Sequence, residues 1–242
     1  MIEAFAWAFL AASALLLGAI AGLALKVSRT LVGLALAFGA GALFSAVAFE
    51  LTVEAFEAGG GTLLAAGLAA GGLTYFAGNR LLTTRGRSRA KATVKQDSQG
   101  QGGLSIVLGA MLDGIPESIV LGASLLGGGA VSPAFLAAVL LSNVPEGFSA
   151  SADLKQEGRK PGWILGLWFA VVLVSAASAA LAFLLFDAAG PAIPFVQAFA
   201  AGGLLTMLVD TMIPEAFDDG GDLAGLVTVL GFALAFLLSA VT

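Results

Sequence analysis

Residues 113–118 read "DGIPES" and residues 142–147 read "SNVPEG", and each motif lies within a long apolar stretch. Of the 242 residues, 59% are hydrophobic and only 11% are charged. Apolar runs of about 20 residues have the length of membrane-spanning helices, whereas barrel strands alternate over about ten residues. The sequence therefore predicts an all-α, polytopic integral membrane protein, in which two spans carry a proline and a carboxylate.

Polar interruptions divide the chain into eight apolar runs, which predict eight transmembrane helices. The runs lie at 4–25, 31–52, 62–82, 103–126, 133–154, 162–186, 192–215 and 223–241. The first run follows an acidic residue and no basic one, so we expect a retained helix and not a signal peptide. We thus predict helices one to three in 1–82, a flexible basic cytoplasmic loop at 83–102, and helices four to eight in 103–242.

The basic residues predict how the chain is oriented in the membrane. All eleven follow the first, third or fifth span: Lys26 and Arg29, then Arg80 to Lys95, then Lys155 to Lys160. Eight spans place these three connections on one face, which the positive-inside tendency makes cytoplasmic. We expect a multi-pass protein of the cell membrane with both termini outside, and no nucleic-acid partner.

Several polar side chains fall near the middle of the fourth and fifth spans. Asp113 and Glu117 are one helical turn apart, as are Ser142 and Glu146, with Asn143 beside them. An ionised carboxylate at that depth is costly unless it is paired, protonated or bound to a cation. No lysine or arginine lies at that depth. A protonated carboxyl group bonded to a neighbouring helix is one reading, and a bound cation is the favoured one.

Prolines next to these acids strengthen the case for a cation site. Pro116 and Pro145 lack an amide hydrogen, so each frees a carbonyl four residues back, and we expect kinked fourth and fifth helices. A lone proline in a span is most simply a kink. Proline followed by glutamate recurs, however, in "IPES", "VPEG" and, at 213–216, "IPEA". Interrupted spans of this kind often mark a midplane site in transporters.

These motifs resemble those of the ZIP (ZRT/IRT-like) family of divalent metal transporters, which has eight spans and motifs close to His-Asn-x-Pro-Glu-Gly in spans four and five. The resemblance implies that Glu117 and Glu146 bind the transported ion together with Asn143. Asp113 stands where the family usually has histidine, and Ser142 replaces another ligand. Gly114 stands where a ligating asparagine is common.

The resemblance also implies the cargo and the assembly. Zinc is implied by the family, while carboxylate, amide and hydroxyl oxygens suit manganese, iron or another hard divalent ion as well. The metal ion is the substrate, and no organic cofactor is expected. The family further implies a homodimer in which spans one, four, five and six move against the others. Span six offers only Ser175 and Ser178 where many prokaryotic members have a glutamate, so one main ion site is expected.

Other acids could line a route for the ion. They are Glu50 and Glu54 toward the outer end of span two, Asp153 at the end of span five, and Asp210 and Glu215 toward the inner end of span seven. An alternative is that acids near helix ends simply lie in headgroup water.

The glycines and tryptophans predict helix packing and position in the membrane, and not ion binding. The runs "GLALAFGAGAL" (33–43) and "GLAAGG" (67–72) predict close helix packing or a sliding surface. Trp7, Trp163 and Trp168 lie near span ends and are expected at the membrane interface.

The predicted function is transport of divalent metal cations toward the cytoplasm through a carboxylate-rich site between helices four and five, and not catalysis. Two alternatives stay open. The first is a membrane sensor or structural homologue that binds metal without transporting it. The second is a proton-coupled permease for a small solute, in which the same acids carry protons.

Overall fold

A computed structural model describes residues 1–92, 102–187 and 192–241 of the chain, and these residues are helical, without strands. Nine α-helices follow one another within the described ranges. They are α1 (Ile2–Ala24), α2 (Arg29–Ala46), α3 (Thr52–Ala92), α4 (Gly102–Ala123), α5 (Pro133–Gln156), α6 (Pro161–Asp187), α7 (Ile193–Met207), α8 (Ile213–Gly220) and α9 (Ala224–Ser239).

The prediction of eight separate helices is wrong, because the described residues form six continuous helical runs. A π-helical turn, Val47–Leu51, joins α2 to α3, and a second, Leu208–Met212, joins α7 to α8. Both π-helical turns lie before the breaks predicted at 53–61 and 216–222, where the backbone leaves the helical conformation at Gly60 and Gly221 and helical structure then resumes directly. The chain changes direction at Gly60 and Gly221, whose positive φ angles of 75° and 65° suit glycine.

Four stretches of the described chain are long and apolar enough to cross a membrane: Ile2–Ala24, Arg29–Leu81, Pro161–Phe186 and Ile193–Ser239. Two of them, with 53 and 47 residues, are about twice the length that one crossing requires. Within the described ranges the protein is therefore helical without strands, and it has several apolar helices of the kind that membrane proteins have.

Two other predictions concern particular segments. Helix α3 continues to Ala92, ten residues into the loop predicted at 83–102, and residues 93–101 lie outside the described ranges. Helices α4 and α5 each continue through their internal proline, so neither Pro116 nor Pro145 ends its helix.

The helices pack as two groups. In the first bundle, defined as α1, α4, α5 and α6, helix α1 packs against α5 and α6, and α4 packs against α6. In the second bundle, defined as α2, α3, α7, α8 and α9, helix α3 packs along α7, and α2 packs along α9 and α8. The bundles meet mainly where α2 lies along α5 and where α4 meets α7. That the first bundle moves against the second stays a prediction.

Glycine lets the helices of the first bundle approach backbone to backbone. A Cβ atom added to Gly18 of α1 would lie 2.1 Å from the carbonyl oxygen of Val144 in α5. A Cβ on Gly147 of α5 would lie 2.2 Å from the carbonyl oxygen of Leu15. In the second bundle, the predicted close packing is confirmed at Gly41, which faces Thr228, and at Gly71, which faces Phe199.

Trp168 corrects one expectation from the sequence. Its side chain is fully buried in the first bundle and its indole nitrogen donates a hydrogen bond of 2.7 Å to the Ser151 hydroxyl in α5. A buried indole commonly finds a partner for its N–H group. This tryptophan therefore ties α6 to α5, while Trp7 and Trp163 are exposed on the surface of the chain.

We predict that Gly18→Ala lowers the melting temperature of the purified protein, because the new methyl group would collide with backbone that cannot move aside. Overpacking of this kind costs about 1–3 kcal/mol of folding free energy. Thermal unfolding in detergent, followed by circular dichroism, measures the effect. Gly166→Ala is the matched control, since nothing lies within 4 Å of a Cβ at that helical position. An equal loss in both variants would contradict the packing argument.

Candidate metal-binding pocket

A small pocket lies inside the first bundle, at the depth of the two Pro-Glu motifs. It is lined by residues of four helices: Ala8, Ala11, Ala12 and Leu15 of α1; Gly114, Glu117, Ser118 and Leu121 of α4; Val139, Asn143 and Glu146 of α5; and Ser175 of α6. The space inside holds about one water-sized particle. The pocket thus has the size for a single ion that has lost most of its water.

Three of the predicted ligands line the pocket, one from α4 and two from α5. The Glu117 side chain is 6% exposed and Asn143 is 3% exposed, whereas Glu146 is half-buried. The Asn143 side-chain nitrogen donates a hydrogen bond of 3.2 Å to the Ala11 carbonyl oxygen, so α1 fixes the orientation of this amide. With its nitrogen directed at α1, the amide offers its oxygen as the remaining polar atom, which is the atom that a cation would bind.

Of the two other predicted ligands, Ser142 lies away from the pocket and the side chain of Asp113 is not described. Ser142 is buried where α5 meets α2, with a Cβ on Gly39 lying 2.7 Å from its Cα, and it does not line the pocket. Its hydroxyl donates to the Val139 carbonyl oxygen at 3.0 Å. The side chain of Asp113 lies outside the described part of the structure. Within the described residues, no three His, Cys, Asp or Glu side chains come together as a metal-holding group.

Serine side chains of the pocket were missed by the sequence reasoning or given little weight. Ser118 lines the pocket, is 3% exposed and donates a hydrogen bond of 2.6 Å to the Gly114 carbonyl oxygen. Ser175 lines it from α6, at 4% exposure, and its hydroxyl oxygen would lie 3.0 Å from a Cβ on Gly114. The absence of a side chain at Gly114 thus leaves room for Ser175. In the sequence, only its position directly after Glu117 could have identified Ser118 as a pocket residue.

The acids predicted to form a route fall at opposite ends of the molecule. Glu50 and Glu54 line a second cavity of about 720 Å³, including its open mouth, between the start of α3, the ends of α4, the start of α5 and the start of α7. Glu54 accepts a hydrogen bond of 3.0 Å from the Gln197 side-chain nitrogen. Both carboxylate oxygens of Glu50 are buried without a hydrogen-bond partner among the described residues.

The other route candidates do not line that cavity. Asp153 is paired with Arg29, and Glu215 accepts a hydrogen bond from Ser149 and lies close to Asp153 and Asp219. Asp210 is exposed on the second π-helical turn. The structure therefore brings the route candidates together in two groups, with Asp210 apart on the surface.

Comparison with known proteins gives a modest similarity. No family model matches the chain. A protein of Arabidopsis thaliana described as a "Putative zinc transporter" is 28% identical over 209 residues, which are 84% of this chain. The chain spans about a third of the length of that relative. The similarity supports a membrane protein of a zinc-transporter-like class.

We predict that Glu117→Gln and Glu146→Gln each weaken binding of a divalent cation to the purified protein. Removal of one charged partner from a buried site costs about 2 kcal/mol or more, which is about thirtyfold in the dissociation constant. Titration calorimetry in detergent measures the dissociation constants of the variants for Zn²⁺ and Mn²⁺. Glu3→Gln, a carboxylate exposed at the start of α1, is the charge-matched control. Equal affinities in all three variants would place the ion elsewhere.

Proposed function

We propose that the protein is a ZIP-family transporter that moves divalent metal cations across the membrane through the pocket between α4 and α5. The observation that carries this proposal is the buried carboxylate of Glu117, which shares an ion-sized pocket with Glu146 and the Asn143 amide. A carboxylate is expensive inside an apolar bundle, and a divalent cation offsets that cost. The similarity to the Arabidopsis thaliana protein described as a "Putative zinc transporter" agrees with a metal ion as the cargo.

The proposed topology has eight membrane crossings. The two long stretches Arg29–Leu81 and Ile193–Ser239 each cross twice, reversing at Gly60 and Gly221, and α1, α4, α5 and α6 cross once. The basic connections then face the cytoplasm and both termini lie outside, in a multi-pass cell-membrane protein. On this arrangement the Glu50 cavity opens outward, and Asp153 and Glu215 lie at the cytoplasmic end.

The proposed cargo follows from the donor atoms. Carboxylate, amide and hydroxyl oxygens form a hard ligand set, which accepts Mn²⁺ or Fe²⁺ as readily as Zn²⁺. Asp113 would add a third carboxylate from α4, one turn before Glu117. The ion is the substrate, it moves toward the cytoplasm, and the working protein is a homodimer without an organic cofactor.

We predict saturable uptake of at least one divalent ion into proteoliposomes that contain the protein. A panel of Zn²⁺, Mn²⁺, Fe²⁺, Co²⁺, Cd²⁺ and Mg²⁺ identifies the cargo. Glu117→Gln and Glu146→Gln should each abolish most of the uptake, because both remove charge from the pocket. Ser13→Ala, a change in α1 at a hydroxyl bonded to its own helix, is the control that should transport normally.

Three other outcomes would contradict this proposal in different ways. Tight metal binding without uptake would indicate a membrane sensor. Proton flux that depends on Glu117 but not on any metal would favour a proton-coupled solute permease. Uptake that survives both glutamine variants would show that the ion takes another path.

A further inference from the structure

Arg29 connects the two bundles at one end of the molecule. It is the first residue of α2 in the second bundle, and its guanidinium Nη2 forms an ion pair with Asp153 of α5 in the first bundle. Its Nη1 lies 3.9 Å from a carboxylate oxygen of Asp219 in α8. The guanidinium therefore lies between a carboxylate of its own bundle and a carboxylate of the other bundle.

Neither charge of the Arg29–Asp153 pair stabilises its own helix. The positive end of a helix dipole is its N-terminus, where Arg29 places another positive charge. The negative end is the C-terminus, where Asp153 lies in the last turn of α5. Each charge is unfavourable for its own helix end, and the contact between them offsets both effects. The ion pair therefore stabilises the contact between α2 and α5, and not either helix by itself.

Arg29 is held firmly on the side of the second bundle. Ser28 caps α2 by accepting a hydrogen bond of 3.2 Å from the Leu31 amide. One turn further on, a Cβ added to Gly33 would lie 2.3 Å from the Gly220 amide nitrogen at the end of α8. The start of α2 is therefore packed directly on the residues that follow Asp219.

Asp153 is held just as firmly on the side of the first bundle. The neighbouring Lys155 ammonium donates a hydrogen bond of 2.6 Å to the Leu23 carbonyl oxygen of α1. Trp168 of α6 bonds to Ser151, two residues before Asp153. The same helix α5 carries Asn143 and Glu146 to the ion pocket. Any separation of the bundles at this end must therefore break the contact between Arg29 and Asp153.

We propose that Arg29 is a latch between the bundles: it holds the C-terminal end of α5 against α2 and α8, and it releases Asp153 when the bundles separate at that end. The Glu50 cavity lies beyond the other end of α2, about 27 Å away along an 18-residue helix. The latch thus closes the end opposite to the open cavity. Only the assignment of this end to the cytoplasm depends on the proposed function.

The experiment measures distances between nitroxide labels by electron paramagnetic resonance, in a chain that has no cysteine of its own. Leu31→Cys and Gln156→Cys place one exposed label on each bundle next to the latch. Ala24→Cys with Gln156→Cys places both labels on the first bundle. This second pair reports whether a variant has kept its fold.

Arg29→Gln should increase the longer-distance population of the pair across the bundles about two- to fivefold, the shift expected for loss of an exposed ion pair. The pair within the first bundle should not change. Lys26→Gln, which removes a charge from the same connection, should have no effect on either pair. The charge exchange Arg29→Asp with Asp153→Arg should restore the wild-type distances across the bundles.

Unchanged distances across the bundles in Arg29→Gln would overturn the latch. An opening in Arg29→Gln that the charge exchange does not reverse would also overturn it, because the guanidinium would then act through another group. Uptake of divalent ions by the wild-type protein is measured separately. If that uptake fails while the distances respond to Arg29, the latch stands and the proposed function is wrong.

Discussion

The cost of burying a carboxylate is the constraint on which the arrangement of the first bundle depends. Glu117 lies among helices whose other pocket-lining residues are mostly alanine, leucine and valine. The sequence offers no lysine or arginine between Lys95 and Lys155, so no basic residue of α4 or α5 at that depth can balance it. Polar side chains of two other helices line the same pocket: the Asn143 amide of α5 and the Ser175 hydroxyl of α6 offer polar atoms, whereas the Glu146 carboxylate of α5 adds a like charge that raises the cost.

Close helix packing makes such a pocket possible. The backbones of α1 and α5 touch at Gly18 and Gly147, which draws the main chain of α1 to within hydrogen-bond distance of Asn143. In α4, a Cβ on Gly122 would lie 2.4 Å from the Ala179 carbonyl oxygen of α6. Small residues therefore position the polar ones, and the hydrogen bonds between helices follow from the short distances between their axes.

The sequence predicted a helical fold with several apolar helices, because hydrophobic length and helical periodicity are local properties; that the three residues named next bind an ion stays a prediction. Glu117, Asn143 and Glu146 were placed together by spacing and by the repeated Pro-Glu pair, and they line one pocket. Ser142 precedes Asn143 by one residue, which turns its side chain by about 100° around the helix axis. That rotation directs it toward α2. Which of two adjacent polar residues faces a pocket depends on the neighbouring helices, and the motif alone does not contain that information.

The remaining errors have similar causes. Polar residues near 53–61 and 216–222 predicted breaks between helices, and the backbone does leave the helical conformation there, at Gly60 and Gly221. Helical structure resumes directly after each glycine, so no loop divides these two runs into separate helices. Trp168 was predicted at the interface from its distance to a span end, yet the bundle offers the Ser151 hydroxyl as a partner for its indole. Position along a span does not determine which side of the helix is covered by protein.

The backbone contacts within the first bundle also limit its degrees of freedom. Two helices that interlock through glycine cannot shift by a fraction of a turn, since each bare backbone segment fits only against the one segment that faces it. The next register in which a glycine could meet a comparable surface is a full turn away, about 5.4 Å along the axis. Helices α1 and α5, and likewise α4 and α6, therefore move only as joined units. The pocket wall formed by α1 and α5 would keep its shape through a rearrangement of the protein, and so would the wall formed by α4 and α6.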